Sequence, residues 1–154
     1  MANYFDTSAL CRHYHREPGS DKVESVLAEA GSTHYVSWLT LLETQSAFAL
    51  KVRTGEITEP DLGPLRAQLR ADISQRRLLV IRVLRRHYDR AEQLLAKYGP
   101  TLRLRSLDAL HLAMALDLRD RGMAQTLVSA DATMVTVGVC EGLAIINPLS
   151  TTEV

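Results

Sequence analysis

Asn3-Tyr-Phe-Asp-Thr-Ser-Ala-Leu10 is the stretch that decides the fold, because it joins a short strand directly to a helix with an aspartate at the junction. The apolar pair before the aspartate predicts a strand over residues 3–5, and the pattern after it predicts a helix over residues 7–17. Pro18-Gly19 then ends that helix. A strand followed at once by a helix is the unit from which α/β domains are built.

The same unit recurs along the chain. Apolar residues three or four apart indicate helices, and the short, solidly apolar runs between them indicate strands that are buried on both faces. The predicted strands cover residues 34–37, 78–81, 126–129 and 143–146, and further helices begin near residues 20, 39, 60, 86 and 106. A short turn or helix is predicted after residue 131. Strands separated by helices require crossover connections, so we predict a small, doubly wound α/β domain with a mostly parallel sheet.

The composition fits one globular domain. The chain has 154 residues, of which 46% are hydrophobic and 23% are charged, and it contains no repeat or linker-like stretch. We predict a single domain over residues 1–148 and a short C-terminal tail over residues 149–154. No apolar run approaches the roughly 20 residues that span a bilayer, and the first residues lack the pattern of a signal peptide. We therefore expect a cytoplasmic protein without membrane contact.

Charge and cysteine content add little about function. The formal net charge is +0, so the chain as a whole does not indicate a polyanionic partner. Arginines are nevertheless concentrated between residues 66 and 105, in a basic region that could bind phosphate or simply be solvated. Cys11 and Cys140 lie far apart and lack the spacing of a zinc site. We expect both to be buried or half-buried thiols.

Four acidic residues lie where predicted strands end or helices begin. Ligands of a doubly wound sheet bind beyond the carboxyl ends of its strands. Asp6 ends the first strand, Asp131 follows the fourth, and Glu43 lies in the first turns of the helix after the second. Asp108 lies in the first turn of its own helix and joins the others if that helix begins on the same side. Each acid alone can be explained as a helix cap or as a charge favoured at a helix N-terminus.

As a group, these four acids favour a metal site. Converging carboxylates repel one another, which raises their pKa values and costs stability unless a cation lies between them. Carboxylate oxygens are the ligands of hard divalent ions, so the cluster predicts Mg²⁺ or Mn²⁺, with one or two ions bound.

Four segments, each containing one of the acids, carry a family resemblance. They are Tyr4-Phe-Asp-Thr-Ser-Ala-Leu10, Ser37-Trp-Leu-Thr-Leu-Leu-Glu43, Leu104-Arg-Ser-Leu-Asp-Ala-Leu-His-Leu-Ala113 and Leu127-Val-Ser-Ala-Asp131. These segments resemble the four motifs of PIN domains, and most closely those of the VapC-type toxins of prokaryotic toxin–antitoxin pairs. They occur in the family's order and span nearly the whole chain, although no motif anchors residues 54–98.

The resemblance implies a compact, three-layer α/β/α sandwich with a five-stranded parallel sheet. It also implies Mg²⁺- or Mn²⁺-dependent endoribonuclease activity on an RNA substrate, neutralisation by a cognate antitoxin protein, and a homodimer. The acids match the family's acidic positions one for one, which implies that Asp6, Glu43, Asp108 and Asp131 are catalytic and hold the ion. We expect Asp6 and Asp108 to be the most direct ligands, with Glu43 and Asp131 completing the shell or holding waters.

Several polar residues near the acids are candidates for supporting roles. The hydroxyl-bearing candidates are Thr7, Ser8, Thr40 and Ser129. Their hydroxyls could orient carboxylates or waters, although helix capping explains Thr7 and Thr40 equally well. His111 lies one turn after Asp108 and could orient a carboxylate or contact a phosphate. A structural histidine is the preferred interpretation of this residue.

Two arginines and two helix faces are candidates for contacts with other molecules. Arg12 and Arg16 follow the first motif at helical spacing and could face substrate RNA or only solvent. The apolar stripes on the helix over residues 60–77 and on the helix before it could contact a partner protein or a second copy of the chain.

Three other interpretations compete with a nuclease. A haloacid-dehalogenase-like phosphatase needs a second aspartate at the position of Ser8. A response-regulator receiver needs a lysine near its end, whereas none occurs after Lys97. The stronger alternative is a PIN-like binding or regulatory protein with little or no nuclease activity. Intact acids at all four motif positions argue against it.

Overall fold

The computed structural model describes residues 1–150, which contain five strands and seven helices. The strands are β1 (Ala2–Phe5), β2 (Thr33–Ser37), β3 (Leu79–Ile81), β4 (Thr126–Val128) and β5 (Ala144–Ile146). The helices are α1 (Thr7–Tyr14), α2 (Ser20–Leu27), α3 (Trp38–Arg53), α4 (Leu62–Ser74), α5 (Arg85–Tyr98), α6 (Ser106–Asp120) and α7 (Ala132–Cys140), and a short 3-10 turn at Glu59–Asp61 precedes α4. Most of the predicted C-terminal tail, residues 151–154, lies outside the described residues.

All strands of the sheet are parallel, and they follow the order β3-β2-β1-β4-β5. β1 lies in the centre, with Tyr4 opposite Tyr35 of β2 and Leu127 of β4. The predicted α/β class is confirmed, and the sheet is parallel throughout rather than mostly parallel. The strand order reverses at β1, and ligands of doubly wound sheets bind beyond the carboxyl ends at such a reversal.

The core has two halves, one on each face of the sheet. Successive side chains of a strand point to opposite faces, so Tyr4 packs with Leu112 of α6 in one half, and Phe5 packs with Phe48 of α3 in the other. These four side chains are fully buried. Burying a large apolar side chain contributes about 1.5–3 kcal/mol. The three-layer sandwich therefore rests on apolar strands that are covered on both sides.

Two helices differ from their predicted extents. α1 ends at Tyr14, three residues before the predicted residue 17, because His15 adopts an extended backbone and the chain turns toward Pro18. The segment after Asp131, predicted as a short turn or helix, is the nine-residue helix α7.

The structure bears on two expectations from the sequence, the burial of the cysteines and the absence of a membrane-spanning helix. Cys11 is buried, as predicted, and burial raises the pKa of its thiol to about 11. Cys140 is exposed, so the prediction of a buried thiol was wrong there, because this residue lies at the outer end of α7. No helix within residues 1–150 combines the length and the apolar character needed to cross a membrane.

Candidate active site

A cleft of about 630 Å³ lies at the carboxyl ends of the strands and brings the predicted acids together. Asp6, Glu43, Asp108 and Asp131 all line it. Asp6 and Asp131 are the N-caps of α1 and α7, and Asp108 lies in the first turn of α6, which therefore begins on this side. Helix N-termini carry partial positive charge, which favours carboxylates there.

Asp6 is the most buried of the four acids, with 2% of its surface exposed. Its Oδ1 accepts a hydrogen bond from the Ala9 amide at 2.8 Å, and the hydroxyls of Ser8 and Ser129 donate to the carboxylate at 2.8 and 2.7 Å. Burial raises the pKa of the Asp6 carboxyl, against the opposing effects of His111 and of these hydrogen bonds. Among residues 1–150, no cationic side chain forms an ion pair with this carboxylate.

Glu43 is held by a hydroxyl and an imidazole. Thr7 Oγ1 donates to Glu43 Oε2 at 2.7 Å, and His111 Nε2 donates to the same oxygen. The other ring nitrogen of His111 shares a hydrogen bond of 2.8 Å with the Tyr4 hydroxyl, and both rings are buried. Partial burial raises the pKa of Glu43, but His111, Thr7 and the charge of Arg105 outweigh it, so that the pKa lies below its ordinary value.

Asp108 is paired with an arginine from its own turn. Arg105 Nε donates to Asp108 Oδ2 at 2.9 Å, and Arg105 Nη2 donates to Oδ1 at 3.2 Å. The Arg105 amide also donates to Oδ2 at 3.2 Å, which caps the start of α6. Asp108 is buried, whereas the Arg105 side chain is 69% exposed.

Asp131 is partly exposed and accepts a hydrogen bond at Oδ1 from the Met134 amide at 2.9 Å. Ser129 connects it to Asp6, because its hydroxyl donates to Asp6 and accepts from the Asp131 amide at 3.1 Å. The Ala130 amide donates to the Ser8 hydroxyl at 2.9 Å. These bonds fix the loop after β4 against the start of α1.

A family model described as PIN domain matches residues 4–138. The chain belongs to the PIN domain family. The matched range begins within β1 and ends within α7, so it includes all the acids of the cleft. Among curated proteins, no sequence matches this chain at a significant level.

Several solved PIN-type structures share the fold. VapC20 from Mycobacterium tuberculosis, described as a sarcin-ricin loop cleaving toxin, superposes with a TM-score of 0.65 at 18% identity, covering 88% of this chain and 95% of that one. VapBC2 from Rickettsia felis, bound to a DNA fragment from its promoter, superposes with a TM-score of 0.63 at 19% identity. The match covers 96% of this chain and 98% of that one. FitAcB from Neisseria gonorrhoeae superposes with a TM-score of 0.61 at 15% identity. The match covers 95% of this chain and 97% of that one.

Most of the predicted supporting residues of this PIN domain lie in or beside the cleft. The cleft is lined by Thr7, Ser8, Arg12 and His111. The Ser129 hydroxyl donates a hydrogen bond to Asp6. The Arg12 guanidinium is already bound to backbone, since it donates to the carbonyl oxygens of Pro18 and Ser8.

Two predicted supporting residues lie elsewhere. The Thr40 hydroxyl accepts from the Ser37 amide at 3.1 Å and closes the capping box of α3, so it contacts no carboxylate of the cleft. Arg16 pairs with Asp21 on the exposed surface at 2.9 Å and does not line the cleft.

Sequence reasoning missed two basic residues in the cleft of the PIN domain. Arg105 contacts Asp108, and the three-residue spacing between them is a signal that could have predicted the contact. Lys51 is buried in α3 and pairs with Glu56 at 2.9 Å, a contact that depends on the turn after the helix. The cleft therefore contains positive charge as well as the four acids.

The next question is whether the oxygen-bearing side chains of the cleft could hold a divalent ion. Among residues 1–150, no three histidine, cysteine, aspartate or glutamate side chains are placed so that they could hold one ion together. Two of the four acids are instead paired with basic side chains, Glu43 with His111 and Asp108 with Arg105. Mg²⁺ needs only one or two protein carboxylates and keeps several waters. The oxygen donors of the cleft fit such a hydrated ion.

Proposed function

We propose that this PIN domain is an Mg²⁺- or Mn²⁺-dependent endoribonuclease that acts as the toxin of a toxin–antitoxin pair. The observation that carries the proposal is the Asp6 carboxylate, which is buried, has no ion pair within residues 1–150, and faces a cleft shared with three more acids. A buried carboxylate without a cationic partner is costly, and a bound divalent ion would remove that cost.

The four acids have different environments, which suggests different roles. We assign direct contact with the ion to Asp6 and Asp108, and water-mediated contact to Glu43 and Asp131. One or two ions, when bound, would supply a water of lowered pKa and positive charge beside a phosphoryl oxygen. Within the chain, Ser8 and Ser129 fix the Asp6 carboxylate by hydrogen bonds.

The RNA substrate is proposed from the similar structures and from the shape of the cleft. VapC20 is described as cleaving the sarcin-ricin loop. The cleft of this chain is open, and Arg12, Lys51 and Arg105 in its wall add positive charge. Positively charged side chains in an open cleft can contact the phosphates of a single RNA strand.

The partners are proposed in the same way. A similar structure from Klebsiella pneumoniae is described as a toxin–antitoxin complex, which supports a cognate antitoxin for this chain. Trp38, Leu42 and Leu50 on α3 are 60%, 69% and 50% exposed. Exposed apolar side chains on one helix support an interface there, either with the antitoxin or in a homodimer. A cytoplasmic location is part of the same proposal.

Induced expression of the wild type and of Asp108→Ala, followed by sequencing of cleaved RNA ends, tests the function. We expect growth arrest and new RNA ends with the wild type only. Purified wild-type protein should cleave the same RNA with Mg²⁺ or Mn²⁺ and stop when EDTA is added. Equal growth and identical RNA ends would contradict the toxin function and would favour a PIN-like binding protein without nuclease activity.

A further inference from the structure

The pair between Arg105 and Asp108 differs from the other contacts of the acids. Asp6 and Asp131 are held by uncharged donors, and the partner of Glu43 is a histidine that is 2% exposed. Among the described residues that contact the four acids, Arg105 is the one permanently charged and mostly exposed side chain. Its guanidinium covers both oxygens of the Asp108 carboxylate.

The charge of Arg105 acts on more than one acid of the cleft. It is among the groups that lower the pKa of Glu43, and Asp131 and Glu43 are among the carboxylates that raise the pKa of Arg105. Arg105 therefore serves as a counter-ion for the acids when no other cation is bound.

We infer that Arg105 is a built-in competitor of the divalent ion for Asp108, so that loading the cleft requires its guanidinium to leave the carboxylate. The inference rests on the proposed function, in which Asp108 is a direct ligand. A two-point arginine–carboxylate pair uses both oxygens in a fixed geometry. A divalent ion at Asp108 would place like charges side by side, so the two cations exclude one another.

The structure also indicates that Arg105 can leave. Its side chain is 69% exposed, and its partner is three residues away in the same turn of chain. Its backbone amide caps α6 independently of the guanidinium. Rotation of the side chain into solvent therefore leaves the fold unchanged. His111, by contrast, is buried between Glu43 and Tyr4 and cannot move without disturbing the core.

Mn²⁺ titration by calorimetry tests the inference without any measurement of activity. The variants are Arg105→Gln and the matched control Arg103→Gln, which removes an equal charge from an exposed residue two positions away. Exposed ion pairs are weak, so we expect Arg105→Gln to bind Mn²⁺ about 2- to 10-fold more tightly than the wild type. Arg103 does not line the cleft, and roughly 0.15 M salt screens exposed charges, so Arg103→Gln should keep nearly the wild-type affinity.

A second background shows whether the effect acts through Asp108. In Asp108→Asn, the change Arg105→Gln should neither restore nor tighten Mn²⁺ binding, because the carboxylate that Arg105 pairs with is absent. In thermal unfolding with EDTA, Arg105→Gln should melt below the wild type, since it leaves Asp108 unpaired. That difference should narrow in saturating Mn²⁺.

Each other outcome has a defined meaning. If the wild type binds Mn²⁺ and Arg105→Gln binds equally or more weakly, the competition is refuted while the metal site stands. If Arg103→Gln tightens binding as much as Arg105→Gln, the effect is general charge and the competition is again refuted. If neither the wild type nor Arg105→Gln binds Mn²⁺, the metal centre itself fails, and the inference fails with it.

Discussion

Two clefts lie at opposite ends of the sheet, and each has a buried aspartate in its wall. The cleft at the carboxyl ends contains Asp6. The other, of about 480 Å³, lies at the amino ends of β2 and β3 and is lined by Asp72 of α4. Asp6 is 2% exposed and Asp72 is 1% exposed, so both carboxylates have lost nearly all contact with water.

The two aspartates differ in the groups that balance their charge. Tyr14 donates a hydrogen bond to Asp72 at 2.8 Å, His13 Nε2 lies 3.2 Å from the same oxygen, and Arg77 forms an ion pair with the other oxygen. Within the described part of the chain, Asp6 receives hydrogen bonds from hydroxyl and amide donors only. Buried charges are tolerated when they are paired. The chain itself supplies the groups that balance the charge of Asp72, so of these two aspartates we propose an external cation only beside Asp6.

The largest expected effect is on activity at Asp6. Asp6→Asn should slow Mn²⁺-dependent RNA cleavage about 1000-fold, equivalent to about 4 kcal/mol, because the buried ligand of the ion is lost. Its free energy of unfolding in EDTA should not fall by more than about 1 kcal/mol, since asparagine is also a good N-cap and the substitution removes a buried charge. Cleavage rates and urea denaturation measure the two effects. A variant that keeps a tenth of wild-type activity would contradict the role of Asp6.

At Asp72 we expect the opposite pattern, a loss of stability without a loss of activity. Asp72→Asn should lower the free energy of unfolding by about 1–3 kcal/mol, because it weakens the hydrogen bond from Tyr14 and removes the buried carboxylate that pairs with Arg77. The protein that remains folded should cleave RNA at the wild-type rate. Urea denaturation and cleavage at low temperature check both statements. A stable but inactive variant would show that the second cleft takes part in function.

A smaller effect on stability is expected at Asp117 of α6, which also forms an ion pair within the chain. Arg86 donates to this carboxylate at 2.7 and 3.0 Å and holds its pKa below the ordinary value. A lowered pKa gives stability that is present above the unfolded value of about 3.9 and is lost as the pH falls toward the folded value.

Asp117→Asn should therefore destabilise the protein by about 1 kcal/mol at pH 7, as partly exposed pairs do, and by less at pH 3. Denaturation of the wild type and the variant at both pH values measures the difference. A destabilisation that grows on acidification would contradict the pairing of Asp117 with Arg86.

The smallest effects are expected at the two arginines after β1. Arg16 pairs with Asp21 at the surface, so Arg16→Gln should change RNA affinity by less than about 2-fold. Arg12 lines the cleft, and Arg12→Gln should weaken RNA binding and reduce the salt dependence of log K by at most about 0.7, the value for one phosphate contact. Binding titrations at several salt concentrations, with Ca²⁺ to prevent cleavage, compare the two. A larger effect at Arg16 than at Arg12 would place the RNA outside this cleft.

The fold could be predicted well from the sequence because its signals are local. Apolar runs and helix periodicity located the five strands to within a few residues. The acids could be placed in one cleft because the carboxyl ends of parallel strands share one edge, which depends on chain order rather than on side-chain detail. Only the side on which α6 begins needed the structure.

The side-chain networks could not be predicted in the same way. His111 and Glu43 are 68 residues apart, and Tyr14 and Asp72 are 58 apart, so their contacts depend on tertiary packing. The sequence pattern places Asp72 on the polar face of an amphipathic helix, but in the structure its side chain is buried against α1. The contact between Arg105 and Asp108 is different, since both residues lie within one turn and their spacing was visible in the sequence.

Calorimetric Mn²⁺ titration of the wild type, Asp6→Asn and Asp72→Asn tests the central claim most directly. The account predicts that the wild type and Asp72→Asn bind the ion with the same affinity and that Asp6→Asn does not bind it measurably. Binding to Asp6→Asn with wild-type affinity, or loss of binding in folded Asp72→Asn, would contradict the assignment of the metal to the carboxyl-end cleft.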